Sequence, residues 1–230
     1  MRRVLTSLAV IAACLAAPVF SSAQGILWDQ QPDTSLTTVI DLDIPAPSEG
    51  FSTYLVNDAT FSTDVIVGSV IVYYSNNSGS WSNLITDGVL NIFDGDGLVA
   101  SDDPTNGGDF GPGAVNVSVT DQGGGVLAVE ASGLNINLAA GTYFFGLSAS
   151  LPSSTDPQEF RFDSGSTIGS STFGRNPSGA FGLGTDWFTA DTLAPGFGDG
   201  AITITQGLPE PSTAGFLAMG LVGLVARRRR

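Results

Sequence analysis

The stretch Val115-Asn116-Val117-Ser118-Val119-Thr120 decides the fold, because valine alternates in it with a small polar residue. Successive side chains of an extended chain point to opposite faces, so a period of two predicts a strand with one buried face. The same alternation returns at Ile202-Thr203-Ile204-Thr205. The sequence is therefore typical of half-buried β-strands.

Clusters of Gly, Asn, Asp, Pro and Ser separate further short apolar segments, and the chain holds 30 glycines and 12 prolines. Many short strands joined by such turns are typical of sandwiches and jelly rolls. We predict an all-β chain with a single jelly-roll-like β-sandwich, flanked by an N-terminal signal helix and a C-terminal hydrophobic helix. Long loops around a short strand near 180–188 are expected in 165–199. The other predicted strands are 36–44, 51–56, 65–74, 89–93, 126–131, 134–138, 143–149 and 159–163.

The N-terminus has the order of a secretory signal. Met1-Arg2-Arg3 precedes an apolar run over 4–20, and Ser21-Ser22-Ala23 follows. A charged start, an apolar run and small residues at the end predict a signal peptide over 1–23, cleaved after Ala23. Three alternatives stay open. The apolar run could be a permanent N-terminal anchor, Cys14 ends a sequence that resembles a lipoprotein lipobox, and the paired arginines hint at a twin-arginine signal whose pattern is incomplete.

The C-terminus combines three features. Pro209-Glu210-Pro211 is followed by 14 uncharged residues over 213–226 and then by Arg227, Arg228, Arg229 and Arg230. A helix of that length spans only about 21 Å, which is short for a membrane core of roughly 30 Å. Because arginine clusters are retained on the cytoplasmic side, the rest of the chain is expected outside.

This tail resembles the PEP-CTERM sorting signal over 208–230, with its Pro-Glu-Pro tripeptide, short apolar helix and terminal arginines in the same order. The resemblance implies an exosortase-type membrane enzyme as a partner, transient membrane anchoring, and display on the outer surface or in an exopolysaccharide or biofilm matrix. A plain tail anchor is the alternative. The expected organisation is a signal peptide at 1–23, a β-sandwich domain at 24–206 and a sorting tail at 207–230.

Two central segments loosely resemble sandwich domains of PEP-CTERM proteins. They are 64–74, which is rich in valine and ends in Tyr73-Tyr74, and 138–145, which contains Gly141-Thr142-Tyr143. We expect Gly141 to supply a tight turn and Tyr143 and Phe145 to share one face of the next strand.

The charge balance excludes several classes of function. Residues 24–209 carry 21 acidic side chains and two arginines, Arg161 and Arg175, a net charge of −19. Such a surface should repel nucleic acid and anionic lipid. The chain has no histidine and no lysine, which excludes Ser-His-Asp catalysis, histidine-bound zinc and Schiff-base chemistry. Cys14 is the only cysteine, so the exported domain is expected to form no disulfide.

One loop gathers carboxylates among glycines. Asp94-Gly95-Asp96-Gly97 is followed by Asp102 and Asp103, and calcium prefers oxygen ligands on flexible loops. The spacing does not match an EF-hand, because Gly97 comes too early and no glutamate follows at the twelfth position. Two hypotheses remain for this loop. Either Asp94, Asp96, Asp102 and Asp103 bind a calcium ion, or the loop is a solvated turn between strands.

The aromatic residues allow a second kind of site. Trp81 and Trp187, with Trp28 and the Tyr73-Tyr74 pair, are candidates for a sugar-stacking surface. Aromatic side chains of a sandwich equally serve its core.

We therefore expect a noncatalytic, exported surface or matrix protein with no cofactor other than a calcium ion in the hypothesis above. The alternative is a carbohydrate-binding module that attaches to exopolysaccharide. A further alternative is a carboxylate-dependent, glycan-active enzyme drawing its acids from Glu130, Glu159 and Asp163.

Overall fold

The computed structural model describes residues 25–44, 51–75, 85–151 and 160–207. Most of these residues lie in β-strands, and the helix among them is the single turn α1 (Ala190–Leu193). The predicted all-β class with little helix is confirmed for this part of the chain. The predicted signal helix and hydrophobic tail helix lie outside the described residues.

Sheet 1 is antiparallel throughout, and its longest strands lie side by side at its centre. The fifth strand of the chain, Val65–Ser75, lies between its neighbours. One edge pairs with the ninth strand, and the other edge pairs with the fourteenth strand and, further along, with the eleventh. The strands of sheet 1 are β1 (Ile26–Gln30), β2 (Thr38–Ile40), β5 (Val65–Ser75), β8 (Ser118–Gly123), β9 (Val126–Leu138), β11 (Phe160–Phe162) and β14 (Ile202–Gln206).

Sheet 2 is built around the tenth strand of the chain, Gly141–Ser150. This strand pairs with the fourth strand of the chain on one edge and with the sixth on the other. All its ladders are antiparallel except a two-residue parallel pair between the third and tenth strands. The strands of sheet 2 are β3 (Leu42–Asp43), β4 (Tyr54–Phe61), β6 (Asp87–Asp94), β7 (Gly113–Asn116), β10 (Gly141–Ser150), β12 (Phe173–Arg175) and β13 (Phe188–Thr189).

The two sheets share one hydrophobic core. Sheet 1 contributes side chains such as Val70, Val129 and Ile204, and sheet 2 contributes Phe145 and Leu147. Each fully buried large apolar side chain contributes roughly 1.5–3 kcal/mol relative to exposure. The described fold is therefore two antiparallel sheets with a common interior.

Tyr74 joins the sheets by hydrogen bonds across this interior. Its buried hydroxyl donates to the Leu147 carbonyl at 3.1 Å and accepts the Ala149 N–H at 3.1 Å. Both groups belong to β10, whereas Tyr74 lies on β5. The polar end of this large side chain is thus satisfied without reaching water.

Two predicted strands are each divided between the sheets. The alternating segment around Val117 forms β7, which pairs with β6 in sheet 2, and β8, which pairs with β9 in sheet 1. The valines at 115, 117 and 119 all pack against the core, so the predicted buried face is confirmed. Segment 36–44 divides in the same way at Asp41, between β2 and β3.

The predicted strands 126–131 and 134–138 form one strand, β9, with an irregularity inside it. The register to β5 shifts between Val67 and Ser69, and on β9 both Gly133 and Asn135 adopt positive φ, 70° and 58°. Glycine and asparagine tolerate this left-handed region best. The predicted break between the two segments is therefore a bulge within one strand.

The strand predicted near 180–188 is wrong, apart from its last residue at the start of β13. Gly179, Gly182 and Gly184 have φ values of 69°, 75° and 83°, which an extended strand cannot hold. Residues 177–186 form turns, and the strand that precedes them in the chain is β12.

A tight connection of two residues, 139–140, joins β9 to β10 directly before Gly141, but Gly141 itself is not part of that connection. Gly141 is the first residue of β10 and its φ does not lie in the left-handed region. The shared face of Tyr143 and Phe145 is confirmed, since both side chains lie in the common core.

Candidate functional site

The carboxylates of the acidic loop, residues 94–103, do not converge into one cluster. Asp96 N–H donates to the Asp94 carboxylate at 3.3 Å, Val99 N–H to Asp102 at 2.7 Å, and Thr105 N–H to Asp103 at 3.0 Å. Each carboxylate thus caps its own turn, as Asp commonly does. Within the described residues, no group of three or more acidic, His or Cys side chains is placed to hold a metal ion. Calcium binding stays a prediction that this arrangement does not support.

Trp187 lies half-buried on the outer face of sheet 2. Its ring meets Phe93 edge-on at 5.5 Å between centroids, and the Arg175 guanidinium lies 5.9 Å from the ring centre. Its indole N–H donates to the Asp102 carbonyl at 3.2 Å. The structure thus brings together Trp187 and Asp102, two residues predicted for different sites, in a contact that fixes the loop onto the sheet.

The other aromatic candidates are separated. Tyr74 lies in the common core, whereas Tyr73, its neighbour on β5, lies on the outer face of sheet 1. Trp28 packs at the edge of the core, and its indole N–H donates to the Gln30 side chain at 2.9 Å. Trp81 lies outside the described residues. No shared tryptophan surface is therefore formed by Trp28 and Trp187.

Several other predicted site residues also lie outside the described residues. They are Cys14, Ala23, Glu159, Pro209, Glu210, Pro211, Arg227, Arg228, Arg229 and Arg230. Of the carboxylates considered for glycan chemistry, Asp163 is buried and accepts the N–H groups of Gly165 and Gly198 at 2.8 and 2.7 Å. Its oxygens are engaged in holding a loop, whereas Glu130 is half-buried on the outer face of sheet 1.

A buried ion pair connects the two sheets. Arg161 on β11 and Asp41, at the crossing between β2 and β3, are both fully buried, with Nη1 and Oδ2 3.3 Å apart. The second carboxylate oxygen of Asp41 accepts the Ser148 hydroxyl and the Leu55 N–H. Both side chains are fully buried, so the pair joins the sheets inside the domain and is not a surface site.

Burial dominates the ionisation of Asp41. Desolvation raises its pKa to about 6, although the Arg161 charge and the hydrogen bonds from Ser148, Leu55 and Arg161 oppose the shift. The guanidinium is itself incompletely paired, since its Nη2 has no hydrogen-bond partner among the described residues. The pair therefore carries a large desolvation cost.

A second buried carboxylate ties down segment 165–199. Asp199 accepts hydrogen bonds from Gln30 on β1, Asn57 on β4 and Thr172 in the loop, the last at 2.9 Å. The Ile168 N–H adds another at 3.3 Å. Burial raises the Asp199 pKa against the effect of these donors. The segment predicted as long loops is thus held by interior hydrogen bonds.

The two carboxylates predict how stability depends on pH. The folded-state pKa of Asp41, about 6, lies above the unfolded value of 3.8, so the folded chain holds its proton more tightly. The stability that the protonated Asp41 carboxyl contributes is complete below pH 3.8 and is lost as the pH rises through about 6. We expect the free energy of unfolding, measured by urea titration, to fall over this range.

The variant Asp41→Asn isolates the contribution of this carboxyl. Its unfolding free energy should change less steeply with pH than that of the wild type, while the raised pKa of Asp199 keeps a residual slope of the same sign. Equal slopes in both proteins would show that Asp41 does not titrate in this range.

The outer face of sheet 1 carries a groove with a volume of about 330 Å³. Its floor is formed by apolar side chains of β5 and β9, and its walls by the loop after β1 and by β8. We call this the sheet 1 groove; it is lined by Gln31, Pro32, Thr34, Ile71, Tyr73, Thr120, Gln122, Gly123, Val126, Ala128 and Glu130.

Strand register explains the arrangement of the groove. Tyr73, Ala128 and Thr120 lie opposite one another on β5, β9 and β8, and Ile71 and Glu130 face each other in the next row. The Tyr73 hydroxyl is fixed by Thr203 at 3.0 Å and by Gln31 at 3.3 Å. The Tyr73 side chain of the floor is thus held in place by two hydrogen bonds.

Sequence reasoning missed the buried charged residues Arg161 and Asp41, although the apolar neighbours of each in the sequence indicate burial. Arg161 lies between two phenylalanines, and Asp41 lies in the apolar run Val39-Ile40-Asp41-Leu42. A charge inside an apolar strand is expected to be paired when buried. In residues 24–209 only two arginines were available as partners.

Comparisons of the chain with models of protein families, with curated proteins and with solved structures find no match. Function is therefore inferred from the chain's own residues. Within the residues that the structure describes, no helix is long and apolar enough to span a membrane.

Proposed function

We propose that the chain is an exported, noncatalytic surface or extracellular-matrix protein, sorted by a PEP-CTERM-type tail. The observation that carries the proposal is the ordered tail of Pro209-Glu210-Pro211, an uncharged run and four terminal arginines, together with a secretory signal at 1–23. An exosortase-type membrane enzyme is the proposed partner. The product is held in the membrane through its tail before that tail is removed.

The pairing of the first and last described strands supports processing at both ends. β1 and β14 are antiparallel neighbours, with Ile26 opposite Thr205. Cleavage after Ala23 and near Pro209 would fall just outside this pair, so neither cut would remove a residue of either strand. The folded domain can therefore lose both segments and keep every described ladder.

The described sheets support a β-sandwich as the exported body. Both sheets contribute to one core, and the chain crosses between them at Asp41 and Val117. We propose a single jelly-roll-like domain over 24–206. Its net charge favours a soluble, well-separated particle at the cell surface and disfavours nucleic acid as a partner.

Intact mass of the native protein from membrane and medium fractions of its host tests the proposal. We expect a polypeptide that begins at Gln24 and ends between Pro209 and Pro211. Replacing Arg227 to Arg230 by glutamine should remove the retention signal and leave a longer, unprocessed chain. A matched replacement of Arg175 by glutamine leaves the tail intact and should be processed normally.

Two outcomes would contradict sorting. A mature chain that keeps Arg227 to Arg230 indicates a plain tail anchor. A chain with lipid on Cys14 indicates attachment at the other end.

A second function, carbohydrate binding to exopolysaccharide, is favoured by one observation. The sheet 1 groove presents polar side chains around an apolar floor on the outside of the domain. Clefts of about 300–1,000 Å³ with a few convergent polar groups are typical of ligand sites. The groove reaches the lower end of that range.

A further inference from the structure

Four polar side chains of the sheet 1 groove are left unused by the fold, whereas Gln31 and Tyr73 of the same lining are hydrogen-bonded to it. The Glu130 carboxylate, the Gln122 amide and the Thr34 and Thr120 hydroxyls make no hydrogen bond to any described residue. By contrast, the aspartates of the acidic loop each accept hydrogen bonds from their own turns. The groove therefore offers donors and acceptors that the fold itself does not use.

The floor between these groups is apolar and preformed. Tyr73, Val126 and Ala128 belong to one apolar cluster on the outer face, with Ile71 packed against it. Strands supply the floor, and Tyr73 is anchored through its hydroxyl, so the floor is in place before a ligand enters. Preformed sites avoid the entropy cost of ordering loops.

The chemistry of the lining selects the ligand. Among the described lining residues Glu130 is the charged one, and it is negative. The surrounding domain is also strongly acidic, so a polyanion would meet repulsion with no arginine in the groove to offset it. A ligand with many hydroxyls, an apolar C–H face and no negative charge fits these side chains.

We infer that the sheet 1 groove binds a short stretch of uncharged polysaccharide. The Glu130 carboxylate accepts hydrogen bonds from sugar hydroxyls, and the Gln122 amide both accepts and donates them. The half-buried Ile71 and the small exposed part of Tyr73 pack against the C–H face of a ring. This inference rests on the second function proposed above and places it on sheet 1, away from Trp187 on sheet 2. Hydrogen bonds from hydroxyls to a carboxylate are among the stronger neutral-to-charged pairs.

Binding of the purified protein to an array of neutral, amino-sugar and uronic-acid oligosaccharides tests the inference. We expect binding to neutral oligosaccharides, and at least about tenfold weaker binding after the double change Gln122→Ala and Glu130→Gln. Gln122 is exposed and Glu130 half-buried on the outer face, so the fold should persist. Asp121→Asn removes one negative charge from β8, the strand of Gln122, and its amide oxygen can still accept the Gly123 N–H, so binding should be unchanged.

The possible results separate the site from the function. Neutral-sugar binding that survives the groove variants but is lost in Trp187→Ala overturns the groove and keeps carbohydrate binding. Absence of binding to every class overturns both. Binding restricted to uronic acids overturns the uncharged ligand.

Discussion

Arg161→Met lowers the free energy of unfolding by about 3–5 kcal/mol, the loss typical of a buried ion pair that keeps one partner. The Asp41 carboxylate would then be fully buried without its cation. The remaining hydrogen bonds from Ser148 and Leu55 satisfy it only in part. Urea unfolding at pH 7 followed by circular dichroism measures this loss.

Two comparisons identify the cause. Arg175→Met removes the other arginine of residues 24–209, which bonds to the Asp102 and Thr185 carbonyls, lies over the Trp187 ring and pairs with no carboxylate among the described residues. We expect a loss of about 1 kcal/mol. The double change Arg161→Met and Asp41→Leu removes both buried charges and should recover much of the stability. Equal losses for the two arginines would show that the ion pair is not the stabilising contact.

The same substitution changes the pH dependence. Arg161 lowers the Asp41 pKa through its charge and its hydrogen bond. Without it the pKa should rise further, so the loss of stability should extend to higher pH. Urea titrations of the variant at several pH values would show the shift.

Gly146→Ala should cost about 1–3 kcal/mol, because β4 lies too close to β10 for a side chain. A Cβ at Gly146 would lie 2.1 Å from the Leu55 carbonyl oxygen and 2.8 Å from the Val56 side chain. Gly146 lies in the middle of β10, paired with Asn91 of β6 on one edge. The strand therefore cannot move away without breaking its ladder. Thermal and urea unfolding measure the cost.

Gly141→Ala provides a matched control on the same strand. The nearest atom to a Cβ at Gly141 is 3.5 Å away, and its backbone is not left-handed. We expect a change within about 0.5 kcal/mol. If both alanine variants lose similar stability, strand propensity and not the contact with Leu55 decides the effect.

The alternation of valine and small polar residues was sufficient to predict the class of fold, because it depends only on neighbours along the strand. It correctly predicts the buried sides of Val115, Val117 and Val119. It does not indicate that the chain changes sheets at Val117, since the core-facing side stays the same through the crossing. Partners along β6 and β9 decide that point.

The site was predicted less completely than the fold. Tyr73 and Tyr74 are adjacent and chemically identical, yet one lies under the sheet 1 groove and the other in the core. Gly141 and Gly146 are likewise indistinguishable until the distance between β4 and β10 is known. Sequence spacing gives the face of a strand but not what covers that face.

The position of β14 also has a mechanical consequence. Gly207 leaves this strand, which is hydrogen-bonded to β1 on one edge and to β5 on the other. A pull at Gly207 against a restrained domain runs along β14 and loads both ladders together in shear. A force that pulls the N-terminal and C-terminal ends apart would instead peel β1 from β14, starting at Ile26 and Thr205. The domain should therefore withstand more force when it is held by its C-terminal end alone.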